Sequence, residues 1–407
     1  MRAMREVEFK GHLIDSLIFP KVLSKIMDLD GEFDILKFDV GKRKIDPSYA
    51  RIAVYARNEE QLEQILTELH TLGACLPEIE DAHLVPAEAD RVAPRGFYST
   101  TNHATHVRVK GKWMPVEHIG MDRLVVVKNS RAVCTPLSKI KKGDSVVVGD
   151  SGVRVKMPER PRGYSLFEFM GGGVSSERPS LNMIKQIAAA IVETRKRGGR
   201  IAVVGGPAIV HTGAAPALAE IIRLGYVDVL LAGNALAVHD IEYNLYGTSL
   251  GMSVETGRPV SGGHRHHLYA IREITAAGGI RNAVETGIVN GGIMYECVKN
   301  NIKYVLAGSI RDDGPLPDVI SDTVAAKEEM LAALADVELV LMLATMLHSI
   351  ATGNLLPSTV KTICADINPQ AVTKLTDRGS AQAIGLITDV GTFLPALAEE
   401  IKSLTSS

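Results

Sequence analysis

The chain has 407 residues, enough for two or three domains with a sizeable core, and its formal net charge is -2. That balance gives no general attraction to nucleic acid or to an anionic membrane, and an aromatic content of 5% leaves few surfaces on which single-stranded bases could stack. The opening MRAMREVEFKGHL carries charges where a secretion signal needs an apolar core, no uninterrupted apolar run reaches the ~18 residues of a membrane helix, and Cys75, Cys134, Cys297 and Cys364 have no CxxC spacing. A soluble, cytoplasmic protein with reduced cysteines and no metal knuckle is expected.

Taken in order, residues 1–95 alternate element types. Arg5 to Leu13 reads as a strand, Ser16 to Met27 as a helix, and Phe33 to Val40 and Arg51 to Ala56 as strands around a polar turn. Asn58 with Gln61 forms a capping-box pattern for a helix to Leu72, and a last strand near Ala82 to Val85 completes the β-α-β-β-α-β order of a ferredoxin-like α+β domain. Residues 96–170 change to short β segments (THVRVKGKW, RLVVVKN, DSVVVGD, GVRVKM), which predict a small β-rich unit or partial barrel with basic residues on its wet face. Within it, STTNHATH crowds polar side chains into one loop. Asn102 and His103 are catalytic candidates there, with a self-satisfied Thr/Asn turn as the alternative.

Residues 171–180, a Gly- and Ser-rich stretch without apolar period, read as a linker, after which Ser180 caps a helix that ends at Gly198-Gly199. From 181 to 407 the pattern is strand, turn, helix, repeated. IAVVGG, VDVLLAG, KYVLAGS, VELVLML, VKTICAD and AIGLITD are near-continuous apolar runs, as parallel strands covered on both faces require. The fold class is therefore α/β, with a C-terminal doubly wound, mostly parallel Rossmann-like sheet. Ligands of such sheets bind at the carboxyl ends of strands, so the turns that follow these runs are the candidate site.

Six turns carry suitable chemistry. Gly205-Gly206 with Thr212-Gly213 offers close backbone approach and a helix start for a pyrophosphate, although it does not match GxGxxG. Asn234 follows the second run, and Gly308, Ser309, Arg311, Asp312 and Asp313 follow the third; Arg311 suits a phosphate or carboxylate, and the aspartates suit an ammonium or a ribose. Ala344, Thr345 and Met346 form the fourth turn. Asp366 with Asn368, and Asp389 with Val390, stand where a carboxylate would accept from ribose hydroxyls, and the same aspartates could simply cap helices. His264 and His267 sit three apart in GGHRHHL, on one face if the segment is helical; with Arg265 they suit binding or acid-base work better than a metal, for which a third ligand is lacking.

The strings GGHRHHLYAI, VLAGSIRDDGPLPD, MLATMLHSIATGN and ADINPQAVTKLTDRGSAQAIGLITDVG resemble those of the archaeal-type ornithine cyclodeaminases and of the C-terminal part of cyanobacterial proteins that join an arginine dihydrolase to an ornithine cyclodeaminase. The resemblance runs over nearly the whole chain, starting with the LOR/SDH-like N-terminal region. The last domain also resembles, more distantly, the NAD-binding fold of deoxyhypusine synthase, with Leu347 where that relative has an imine-forming lysine. The family usually has Asn-His-Pro-Thr where this chain has Asn102-His103-Ala104-Thr105. No arginine-dihydrolase domain is visible, so arginine hydrolysis is not expected.

The resemblance implies NAD as cofactor and conversion of L-ornithine to L-proline and ammonia. Hydride leaves the α-carbon, the tethered δ-amine attacks the imine with intramolecular advantage, ammonia departs, and hydride returns to the cyclic imine. It implies an amino-acid substrate and no nucleic-acid or membrane partner; a homo-oligomer, dimer or tetramer, is expected. Under this reading Arg265 or Arg311 holds the substrate carboxylate, Asp313 and His103 move protons, and His264 or His267 lines the pocket. A saccharopine-type or other amino-acid dehydrogenase, and a nucleotide-sensing binding module, are the competing readings.

Overall fold

A computed structural model describes residues 3–11, 13–14, 18–43, 46–74, 80–156, 181–312, 314–378 and 383–405. It divides into two compact units, Met1–Ser165 with Asn354–Thr359, and Leu166–Gly353 with Val360–Ser407. The expected linker and its Ser180 cap lie outside the described residues, as do Cys75 and Asp313. Among the described residues no helix is long and apolar enough to cross a membrane.

The first unit opens with β1 (Ala3–Gly11), α1 (Ile18–Asp28), β2 (Glu32–Asp39), β3 (Ser48–Ala56) and α2 (Glu59–Thr71). Asn58 caps α2 by accepting from the Gln61 amide at 2.9 Å, while Gln61 Oε1 accepts from the Arg57 amide at 2.8 Å, so the reciprocal half of the capping box falls one residue early. The strands form an antiparallel sheet in the order β1-β3-β2. Val7 and Phe9 of β1 and Ile52 and Val54 of β3 alternate onto one face, where they meet Val22, Ile26, Leu62, Ile65 and Leu69 of the two helices. Each side chain so buried contributes roughly 1.5–3 kcal/mol relative to exposure.

The expected last strand exists, but not in this sheet. It is β4 (His83–Pro86), followed by β5 (Ala104–Val109), β6 (Lys112–Glu117), β7 (Leu124–Lys128), β8 (Arg131–Thr135), β9 (Ser145–Val148) and β10 (Val153–Lys156). These make a second sheet in the order β10-β5-β6-β8-β7-β9-β4, in which Leu84 stands opposite Val147. Ala82 and Leu84 thereby reach the core of Val107, Val116, Val125, Val147 and Val153, and the ferredoxin-like order is left without its fourth strand. The alternation of valine and base in β10 is as the sequence suggests: Val153 and Val155 are buried, Arg154 and Lys156 exposed.

The second unit begins with α3 (Leu181–Lys196), β11 (Arg200–Gly205), α4 (Ala208–His211), α5 (Ala215–Arg223), β12 (Val229–Gly233) and α6 (Asn234–Tyr246). A short pair, β13 (Thr248–Ser249) and β14 (Met252–Ser253), leads into α7 (His266–Ala277), α8 (Ile280–Glu285) and α9 (Ile293–Lys299). Then come β15 (Lys303–Ala307), β16 (Val319–Ile320), α10 (Thr323–Ala333), β17 (Val337–Leu343), α11 (Leu347–Leu355), β18 (Lys361–Asp366), α12 (Pro369–Arg378), β19 (Ala383–Ile387) and α13 (Val390–Thr405). All six apolar runs are strands of one parallel sheet, ordered β16-β15-β12-β11-β17-β18-β19. Apart from the short edge strand β16 this is the doubly wound order of a dinucleotide-binding sheet, with β11 at the centre and the direction of winding reversed at β17.

α6 is polar within the core. Asp240 is fully buried and accepts from the amides of Ile293 and Met294, both at 2.8 Å, which fastens the start of α9. Burial pushes its carboxyl up to about 6, against the two amide bonds that favour the charge. Replacing Asp240 by Ala leaves two buried amides unpaired and is expected to lower stability by about 3 kcal/mol, read as a drop in the urea midpoint. The folded-state value lies above that of the unfolded chain. The carboxyl's own contribution is therefore greatest at low pH and is lost as pH rises through about 6, so the difference between the two proteins should narrow from pH 5 to pH 7.

Candidate functional site

The sheet reverses its winding between β11 and β17, so the crevice of the second unit lies at the carboxyl ends of those strands. Gly206 donates to the Leu343 carbonyl at 2.9 Å, and a Cβ on Gly206 would fall 1.9 Å from the Ala344 oxygen. Only glycine fits. Ala344 itself is left-handed, with φ 49°, and its amide donates to Ala365 at 2.9 Å. The strand ends are thus brought together by backbone alone and kept free of side chains, the condition under which a pyrophosphate can approach closely. The helix start expected near Thr212 is displaced: α4 intervenes, Thr212 closes it, and Gly213 turns the chain toward α5.

The other strand ends converge on the same edge. A Cβ on Gly391 would lie 2.9 Å from Thr212, so the turn after β19 abuts the turn after β11. Asp366, half-buried, accepts from the Asn368 amide at 2.8 Å through Oδ1, and its carbonyl accepts from Thr388 at 3.0 Å. Asn368 accepts from Gln370 at 2.9 Å, and Asp389, exposed, accepts from Gly391 at 2.8 Å; both therefore cap the helices that follow. Val390 is buried in the core. On the opposite wing, the His348 ring rests against Gly233, 3.0 Å from where a Cβ would stand, with Nδ1 3.5 Å from Thr345 Oγ1. Burial lowers the pKa of His348, and nearby Asp312 opposes that shift.

The turn after β15 is closed on itself. Asp312 accepts from the Ser309 amide at 2.9 Å and Ser309 Oγ from the Arg311 amide at 3.1 Å, while the Arg311 side chain is exposed and the Gly308 amide is taken by Ile320. Asn234 turns inward: its Oδ1 accepts from the Leu316 amide at 3.0 Å, so it anchors the loop beyond β15. Met346 is exposed.

A second set of groups lies on α6 and the segments beside it, and of these the sequence singled out only His267. Glu242, fully buried, accepts from His239 Nδ1 at 2.7 Å and Thr248 Oγ1 at 2.9 Å, and from the Gly251 amide at 3.2 Å. Burial works to raise its carboxyl, and the His239, Gly251 and Thr248 hydrogen bonds outweigh it, leaving the group below its ordinary value. His266 Nδ1 meets Thr248 Oγ1 at 2.8 Å, and His211 Nδ1 meets Ser249 Oγ at 2.7 Å. The His211 and His239 rings are 4.8 Å apart, and His267 lies 6.4 Å from His239. Burial, then the proximity of His239, lowers His211 to about 4, with Glu242 acting the other way. Since His211 ends the turn that follows Gly206, this cluster continues the crevice. One signal was available: LAVHDIEYNLY mixes acids and a histidine into a helix whose apolar residues occupy every side.

The pair His264 and His267 does not share a helix face. His264 lies in a 3₁₀ turn, exposed, beside exposed Arg265, whose Nε donates to it at 3.2 Å; α7 begins only at His266, and His267 is half-buried. Among the described residues no group of three potential ligands could hold a metal ion. In the first unit, Asn102 is buried and its carbonyl accepts from the Ser358 amide at 2.8 Å. His103 is held by Thr101 and Thr105 through its backbone; burial lowers its ring to about 4, and Nδ1 is buried with no partner among the described residues. The self-satisfied turn expected as the alternative is present, and the His103 ring is not used by it.

Comparison with known proteins accounts for all of these segments. The model of the arginine dihydrolase ArgZ-like C-terminal region with Rossmann fold matches residues 185–397, that of the first ArgZ-like C-terminal region 104–184, and the LOR/SDH bifunctional enzyme conserved region 4–103. The ornithine cyclodeaminase of Archaeoglobus fulgidus is 62% identical over 98% of both chains. The crystal structure of a conserved LOR/SDH protein from Methanococcus maripaludis is 54% identical, with a TM-score of 0.75 over 81% of this chain and 99% of that one. A crystal structure of the ternary complex of AgrE with ornithine and NAD+ is 43% identical, with a TM-score of 0.55 over 100% of this chain and 58% of that one. The chain therefore belongs to the family of the archaeal ornithine cyclodeaminases, with the Rossmann-type C-terminal region of the ArgZ-like proteins.

Proposed function

We infer that the protein is an NAD-dependent ornithine cyclodeaminase, an ammonia-lyase that converts L-ornithine to L-proline and ammonia. The observation that carries this reading is the 62% identity across 98% of both chains with an ornithine cyclodeaminase, and the ternary complex of the relative AgrE with ornithine and NAD+ supports the cofactor. The crevice fits a dinucleotide on its own terms, because Gly206 admits no side chain against Ala344 and Asp366 stands at the end of β18. When bound, NAD supplies the acceptance of hydride from the α-carbon and its return to the cyclic imine. Gly205, Gly206 and Thr345 would hold the pyrophosphate side, and Asp366 and Asp389 the ribose side.

The chain's own task is proton management. The α-amine must be neutral before its lone pair can expel hydride, and the δ-amine must be neutral to attack carbon. Imidazoles that burial holds neutral can accept those protons. His211 is such a group, and His239 is oriented by Glu242, which accepts a hydrogen bond from its Nδ1. Asn102 and the neutral His103 are the first unit's candidates, and Arg311 and Arg265 are candidates for the substrate carboxylate, since both guanidiniums are exposed.

Incubation with L-ornithine and a catalytic amount of NAD is expected to release proline and ammonia in equal amounts with no net build-up of reduced cofactor. Stoichiometric reduced cofactor, or a requirement for an oxo-acid, would instead make the protein a dehydrogenase. Asp366→Ala is expected to weaken NAD binding by about tenfold or more, as loss of hydrogen bonds to a charged group does, measured by calorimetry; unchanged affinity would place the ribose elsewhere. Glu242→Gln, nearly isosteric, is expected to lower kcat on the order of a hundredfold with NAD affinity retained, measured by steady-state kinetics beside calorimetry.

A further inference from the structure

The first unit contains a cleft that the proposed reaction does not use. It encloses about 360 Å³ between α2 and β1 on one side and the turn joining β9 to β10 with Trp113 of β6 on the other. That is near the lower end of the roughly 300–1,000 Å³ of ligand sites, suited to a molecule of amino-acid size and too small for a dinucleotide.

Its lining carries both signs of charge. Arg5 and Arg154 supply two guanidiniums, and Glu63, Glu80 and Asp150 supply carboxylates, one more than the arginines balance. Arg154 lies over the Trp113 ring, 4.4 Å from Cζ to centroid, which fixes one guanidinium on an aromatic face. Arg5 is 3.9 Å from Glu63 and 3.7 Å from Glu59. At the inner end His70 is only 7% exposed, and its Nε2 has no partner among the described residues. Burial lowers His70 below its ordinary value, against nearby Asp150 and a backbone hydrogen bond to Ala74. With one ring nitrogen engaged by that backbone bond, Nε2 presents a lone pair. Asp150 is half-buried, and among the described residues its side chain accepts only a long bond from Thr67 Oγ1 at 3.5 Å. A buried acceptor without a donor, beside an under-satisfied carboxylate, calls for a ligand rich in N–H groups.

We propose that this cleft is a second small-molecule site that takes a free α-amino acid with a cationic side chain, its carboxylate on Arg5 and Arg154 and its cation on Asp150 and His70 Nε2. One carboxylate and two cationic groups on the ligand match the excess of one acid in the lining. A dicarboxylic amino acid would leave the acids opposed, and an apolar one would leave Nε2 unpaired.

Trp113 is the chain's one tryptophan, so its fluorescence reports on this cleft. Titration of the full-length protein with L-arginine and with L-lysine, without NAD or ornithine, is expected to give a saturable change that L-glutamate and L-norleucine do not give. Asp150→Asn is expected to raise the dissociation constant about tenfold or more, and Arg154→Leu to weaken binding to a similar degree by calorimetry, both variants keeping the NAD affinity of the parent. The site is overturned by the absence of saturable binding of either basic amino acid, by equal binding of norleucine or glutamate, or by affinity undiminished in both variants. No readout depends on turnover, so the result stands apart from the identity of the reaction.

Discussion

The second unit depends on one close contact, that of Gly206 with the backbone of Ala344. β11 and β17 are adjacent and parallel, yet the chain leaves them toward opposite wings of the sheet. The bond from Gly206 to Leu343 extends their ladder one residue past the strand, and the bond from Ala344 to Ala365 ties β18 to the same point. Ala344 pays for this with a left-handed backbone, which costs a non-glycine residue roughly 1–2 kcal/mol. Three strand ends are thereby fixed by main-chain bonds alone. Everything proposed for the cofactor follows from that geometry, since a side chain at Gly206 would part the strands and fill the crevice together.

The same unit places two acids on one buried helix and sets them to opposite tasks. Asp240 and Glu242 are two positions apart on α6, so they face different ways. Asp240 meets only the start of α9, and burial dominates its pKa. Glu242 meets a histidine, a threonine and two amides, and the hydrogen bonds dominate instead. An ionised carboxylate inside a core is tolerated only when so satisfied, and the partner that pays back its burial is then itself fixed. His239 is fixed in this way. One acid serves the packing of helices, and the other sets the tautomer of an imidazole beside the crevice.

The sequence made the parallel sheet legible because continuous apolar runs are what strands covered on both faces must be, and all six runs are strands. It made the turns legible for the same reason: they are where apolar patterning stops. It did not show which turn residues face a ligand. Asn234 and Asp312 have the right chemistry, but their side chains are spent on Leu316 and Ser309, and such local bonds leave no mark in spacing. Nor did it assign β4 to its sheet. A four-residue strand carries two apolar side chains, which fit either core equally well, and only the pairing of Leu84 with Val147 decides. Of the histidine cluster only His267 stood out in the sequence, because its members come from α4, α6 and α7, separated in sequence and joined only by folding.

Neutral imidazoles have a further consequence for a reaction that begins and ends at the same oxidation level. Such a reaction gains nothing from releasing its cofactor midway, and it requires two amines of one substrate to lose protons in turn. On the proposed reading, a cationic histidine in this cluster would oppose the ammonium groups of the substrate. Burial removes that opposition at His211, and Glu242 supplies the one compensating negative charge without exposing it to solvent. Under the proposed function, the cluster would receive a proton from the first amine and stabilise it against Glu242 while the second amine cyclises. Under the same proposal, burial of the histidines would serve the chemistry as well as the packing, because exposed imidazoles would hand the proton to water before the ring closed.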